Sequence, residues 1–206
     1  GSTPEEVRDD VPINASAGEF MINAQTVNYF GEEFFNNLQE TAAEGWQRIK
    51  EGKESFFRDD ELEVAEVDDS TVSPVTADAL VTRKAGLPLA VLSADCLPIL
   101  IKGRDVAAVI HAGRKGILNG VISKTISKIR SLSNAELVAT IGPAICSKCY
   151  EVDLQMYLDA IAVEPNLATT LETHCLDLKK AATVQLQRGS AIVNDLGICT
   201  AHDPNF

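Results

Sequence analysis

Histidine is scarce in this chain: there are three in 206 residues, and none precedes His111. Three imidazoles cannot build a centre of several metal ions, so any site that relies on nitrogen ligands must be small. Positive charge is also short, with 18 Lys and Arg against 30 Asp and Glu and a formal net charge of -12. A surface this negative repels a phosphate backbone at long range, and nucleic acid is not an expected partner. A small anion can still be held locally by a few cations and backbone N–H groups. Long apolar runs are missing as well. Leu87–Leu92 and Pro98–Ile101 fall far short of the roughly 20 residues that span a bilayer, and no basic-then-apolar leader precedes them. No membrane association is expected. The five cysteines are odd in number and irregular in spacing, unlike the paired framework of a small secreted domain. A reducing, cytoplasmic setting fits that usage. Gly1-Ser2 has the form of a cloning remnant and the chain stops at Asp203-Pro-Asn-Phe206, so neither end is read as natural.

What is present is ordinary for a globular protein: 45% hydrophobic and 23% charged residues, in a chain long enough to bury a core without staples. Residues 1–75 differ in texture from the rest, holding the only tryptophan, Trp46, and most of the phenylalanines, and turning strongly acidic from Asp59 to Asp69. Tyr29–Lys50 reads as a helix, because Phe30, Phe34, Phe35, Leu38, Ala42, Trp46 and Ile49 recur at three- and four-residue steps before Gly52. A stripe of this kind packs a core. Further on, Leu87–Ser93, Leu97–Ile101 and Val106–His111 read as buried strands, with Lys102-Gly-Arg-Asp105 as the turn between the last two. Helices are expected over Ile117–Leu132, Val152–Val163 and Asp177–Arg188, and strands over Leu137–Ile141 and Ala191–Val193. The pattern predicts one mixed α/β domain over residues 1–206.

Two segments carry chemistry. Ser93-Ala-Asp-Cys-Leu-Pro98 lies where a buried strand is expected, and His111-Ala-Gly-Arg-Lys-Gly116 ends another where a helix begins. If those strands are neighbours, Cys96 and His111 come close, and thiolate and neutral imidazole are both zinc donors. The same residue types also serve as a buried small hydrophobe and a structural histidine. Gly113, Arg114 and Lys115 put a small residue and two cations at the first turn of a helix, which favours an anion such as phosphate. A solvated helix cap gives the same local pattern. Cys146-Ser-Lys-Cys149 has the spacing of a redox pair or half a zinc knuckle. With no second pair recognised, both cysteines are expected to be local and structural, and His174, Cys175 and His202 incidental.

Five blocks in order, Ala77-Asp-Ala-Leu-Val-Thr82, Ser93–Pro98, His111–Gly116, Ile141-Gly-Pro-Ala-Ile145 and Cys149-Tyr-Glu-Val152, are similar to the signature of the laccase-domain, or polyphenol-oxidase-like, family of zinc-dependent purine nucleoside phosphorylases. The likeness continues through Leu176-Asp-Leu178 and Cys199-Thr200, covering about residues 76–206. It implies a layered mixed β-sheet with flanking helices and a single zinc held by one cysteine and two histidines. Purine nucleosides and phosphate are the implied substrates, with adenosine deamination as a companion activity. Cys96 matches the cysteine ligand and His111 the second histidine. The first histidine normally sits upstream in a Gln-Val-His-Gly block. Here Arg58-Asp-Asp-Glu61 falls at about that place and puts Asp60 at the ligand position, either as a carboxylate donor or as a solvated acid in an acidic loop.

The family's His-Ala-Gly-Trp-Arg-Gly reads His111-Ala-Gly-Arg-Lys-Gly116, which keeps a cation and loses the tryptophan. By the same resemblance Gly113, Arg114 and Lys115 bind phosphate and Asp95 takes a supporting or acid–base role. The older laccase name suggests copper, which three histidines favour less than zinc. Two other functions suit the same residues: a non-catalytic member that keeps the fold for binding, and a metal-free cysteine hydrolase with Cys96 as nucleophile and His111 as base.

Overall fold

Alternation of burial along two short β-rich runs organises the molecule. The structure, a computed structural model, describes residues 63–68, 75 and 77–204, all within Leu62–Phe206, the second of two compact units into which the chain divides. The helix expected over Tyr29–Lys50 and the candidate ligand Asp60 lie outside the described residues. In chain order the elements are β1 (Val64–Glu66), β2 (Ala79–Thr82), β3 (Leu97–Lys102), β4 (Ala107–Ala112), α1 (Arg114–Leu118) and α2 (Val121–Leu132). They are followed by β5 (Leu137–Ile141), α3 (Leu154–Val163), a 3-10 turn (Pro165–Leu167), α4 (Leu178–Arg188) and β6 (Ala191–Asp195).

These strands form one six-stranded sheet in the order β1-β2-β4-β3-β5-β6. The outer pairs β1/β2 and β5/β6 are parallel, and the pairs between them are antiparallel. The mixed α/β fold with flanking helices therefore agrees with the expectation. On β3, Leu97, Ile99 and Ile101 are buried while Leu100 and Lys102 are exposed, as a period of two requires. Ala108, Ile110 and Ala112 of β4 join the same core, together with Val121, Ile122, Ile126 and Ile129 of α2 and Leu178, Ala181, Ala182 and Leu186 of α4. Each branched side chain so buried stabilises the fold by about 1.5–3 kcal/mol. Asp153 caps α3 by accepting from the Met156 N–H, and Asp177 caps α4 by accepting from the Lys180 N–H, each at 2.9 Å. Among the described residues no helix is long and apolar enough to cross a membrane.

Two expected elements differ. Leu87–Ser93 is not a strand, and Ala79–Thr82 takes the edge of β4 that it would have used. Pro88 inside the run has no N–H to give to a ladder, which removes the reason for a strand there. The helix expected over Ile117–Leu132 is two helices, because Gly120 sits at φ 82°, a left-handed conformation that interrupts the ladder and suits glycine. The interruption separates α1, which follows the His111 strand directly, from the core-packing α2.

Candidate functional site

The β3/β4 register pairs Leu97 with Ala112 and Pro98 with His111. Leu97 and Ala112 face the core, so Pro98 and His111 face the other side of the sheet. Extending the register by one pair sets Cys96 against Gly113, on the same side as His111. The contact is close: a Cβ added at Gly113 would lie 2.8 Å from the Cys96 Sγ, so the absence of a side chain at 113 makes room for the sulfur. Cys96 and His111 are thus diagonal neighbours on one face, a relation that separates residues by roughly 7–8 Å along the backbone and less at the side chains.

Their surroundings shape their chemistry. Burial pushes the His111 imidazole below its ordinary value and favours the neutral ring, against the opposing pull of the Asp78 carboxylate. Burial, and then the charge of Asp95, push the Cys96 thiol up. A thiol in that setting becomes a thiolate when a cation shares its face. Asp95 is exposed, and its carboxylate accepts from the Thr200 hydroxyl at 2.6 Å while its backbone carbonyl accepts from the Ile145 N–H at 2.9 Å. The Ser93 hydroxyl donates to the Cys96 carbonyl and holds the turn before β3. Arg114 is half-buried at the first position of α1, Lys115 beside it is exposed, and Gly113 is the N-cap, with no side chain capping the helix. Cys96 therefore meets Gly113 beside His111, with Arg114 next in the chain and Asp95 exposed next to Cys96.

A second group of donors contradicts an expectation. Cys146, Cys149, Cys199 and His202 come together with their ligand atoms all within 4.8 Å of one another, a set that can hold a metal ion. The sequence pattern predicts Cys146 and Cys149 to be local and His202 incidental; the fold instead brings Cys199 and His202 up to that pair. The signal was visible, since Cys199-Thr-Ala-His202 repeats the two-residue spacing of Cys146-Ser-Lys-Cys149, with histidine in place of the second cysteine. The thiols are unequal. Burial opposes ionisation of Cys199, but N–H donors from Ala201 and Cys146 outweigh it and bring that thiol down. The hydrogen bond with Cys146, and then burial, push Cys149 up to about 11.

A family described as multi-copper polyphenol oxidoreductase laccase matches residues 57–206. The chain belongs to this family. Both donor groups described above fall inside the matched region. A purine nucleoside phosphorylase of Streptomyces coelicolor is 42% identical over 117 residues, covering 54% of this chain and 48% of its own length. One from Corynebacterium glutamicum is 38% identical over 136 residues, covering 63% and 55%, and one from Campylobacter jejuni is 30% identical over 145 residues, covering 67% and 62%. The chain thus spans about half the length of the curated relatives it matches. Among solved structures, the Bacillus licheniformis protein YfiH has a TM-score of 0.59 at 26% identity, covering 70% of this chain and 63% of its own.

Proposed function

We propose that this chain carries the active-site half of a purine nucleoside phosphorylase, built at the ends of β3 and β4. The observation that supports it best is the shared face of Cys96 and His111, with Gly113 left bare under the sulfur. The names of the Streptomyces, Corynebacterium and Campylobacter relatives supply the reaction class.

A thiol and an imidazole on one face fit zinc, and Cys96 and His111 would hold it. When bound, zinc supplies Lewis acidity and a lowered pKa for water or phosphate. The remaining work falls to the chain itself. Phosphorolysis forms a bond from a phosphate oxygen to the ribose C1′ and breaks the C1′–N9 bond, leaving the electron pair and a proton to be managed on the purine. Arg114 binds phosphate through its guanidinium fork, and Lys115 adds a point charge at the same helix start. Asp95, fixed by Thr200, is the acid–base candidate at the rim. The metal-free cysteine hydrolase is less well supported, because a nucleophilic cysteine needs a lowered pKa and burial raises that of Cys96.

The test incubates the full chain and zinc with inosine or adenosine, with and without inorganic phosphate. The expected products are free base and ribose 1-phosphate in equal amounts, formed only with phosphate. Inosine and ammonia from adenosine without phosphate would show deamination by the same face. No turnover of either nucleoside at any zinc concentration would leave the non-catalytic reading in its place. Because the family's upstream histidine has no counterpart before His111, the wild-type rate is expected to be slow.

A further inference from the structure

Away from the β3/β4 hairpin end, three turns bring four soft donors to one point. The first turn places Cys149 over Cys146, with the Cys149 and Tyr150 N–H groups donating to the Cys146 carbonyl at 3.0 and 3.1 Å. The segment 198–200 lies against Ala144: the Ala144 N–H donates to the Ile198 carbonyl at 3.2 Å, and the Thr200 N–H to the Ala144 carbonyl at 3.4 Å. The last turn is closed by the Asp203 N–H donating to the Cys199 carbonyl at 3.0 Å, and it swings His202 back toward the sulfurs.

We propose that Cys146, Cys149, Cys199 and His202 bind one zinc ion in a closed tetrahedral site that fastens residues 198–203 to the loop 142–150. The donor spacing fits. Zn–S bonds of about 2.3 Å and Zn–N bonds of about 2.0–2.1 Å set tetrahedral donor edges of roughly 3.5–3.8 Å. The Cys146 and Cys149 sulfurs are 3.7 Å apart, and the His202 Nδ1 lies 3.2 Å from the Cys149 Sγ and 4.0 Å from the Cys146 Sγ. The Cys146 N–H donates to the Cys199 Sγ at 3.3 Å, the kind of amide-to-sulfur bond that steadies a metal thiolate. Three sulfurs and one nitrogen select zinc among common divalent ions, and a redox role for Cys146 and Cys149 alone would leave the convergence of Cys199 and His202 without a purpose. With all four positions filled by protein the site is structural. It bears on the hairpin end through Thr200, which sits between Cys199 and His202 in the chain and donates to Asp95, the neighbour of Cys96.

The test uses the full chain with Cys96→Ser/His111→Ala, which removes the donors of the proposed nucleoside site and leaves this one intact. Metal analysis is expected to find one zinc per chain. Cobalt(II) loaded in its place is expected to show the visible bands of a tetrahedral ion and near-ultraviolet thiolate charge transfer. Zinc is also expected to protect Cys146, Cys149 and Cys199 of the wild-type chain from alkylation, a readout that needs no further variant. No bound metal in the double variant, copper in place of zinc, a Cys146–Cys149 disulfide in the reduced preparation, or identical alkylation with and without zinc would each overturn the proposal. None of these readouts depends on nucleoside turnover, so the two readings fail separately.

Discussion

The end of the β3/β4 hairpin and the turn at Cys146–Cys149 both bring sulfur and imidazole together, yet they are built for different work. Among the described residues the hairpin end offers one thiol and one imidazole, with a guanidinium at the next helix start. The second place offers four donors within 4.8 Å of one another. A metal site that does chemistry keeps a position for substrate, whereas one that holds chain segments together fills every position with protein. Incompleteness at the hairpin is thus compatible with catalysis, and completeness at the turn with clamping.

Chelation breaks the comparison most forcefully. If the four-donor site is a clamp, stripping zinc should lower unfolding stability by about 4 kcal/mol relative to free zinc a thousandfold above its Kd, measured by denaturant titration. The same loss is expected in Cys96→Ser/His111→Ala, and little in Cys199→Ser. A smaller effect comes from Gly113→Ala, which puts a methyl into the Cys96 sulfur and is expected to cost about 1–3 kcal/mol while weakening metal binding at the hairpin only. The link between the two places is weaker again. Thr200→Val removes the hydroxyl bonded to Asp95 and should cost about 1 kcal/mol, leaving zinc content unchanged.

pH sharpens the contrast. Metal binding expels the protons that its thiols carry, so affinity falls as pH drops. The turn site has three thiols, with Cys149 held up to about 11, against one at the hairpin. Its zinc affinity should therefore fall more steeply with acidification, as measured by competition with a chelator of known pH response. A carboxylate outside both sites provides a reference. Burial works against ionisation of Glu164, but hydrogen bonds from Gln185 and Asn166 hold its carboxyl below the ordinary range. Its stabilising contribution is present above the unfolded value of about 4.3 and is lost as pH falls through the lower folded value. The metal-dependent losses belong at higher pH than that.

How legible each place is in the sequence follows from how it is assembled. The hairpin site depends on local rules: two apolar runs joined by Lys102-Gly-Arg-Asp105 must pair, and pairing puts Cys96 and His111 on one face. The strands at Leu97 and Ala107 and the start of a helix at Asp177 are readable from equally local patterns. Leu87–Ser93 misled because its composition resembles a strand while Pro88 withholds a ladder donor, and the break at Gly120 was missed because the apolar period continues across it. The four-donor site was hidden for a different reason. Cys146-Ser-Lys-Cys149 and Cys199-Thr-Ala-His202 are far apart in the chain, and only the pairing of Ala144 with the 198–200 segment brings them together.

The central claim, that Cys96 and His111 form the nucleoside-cleaving face, is tested most directly by phosphate-dependent release of hypoxanthine from inosine at a fixed zinc concentration. Wild type should be compared with Cys96→Ser and His111→Ala. The account predicts slow release by wild type and a fall of at least about 100-fold in each variant, with folding retained. Release that persists at the wild-type rate in either variant would contradict it.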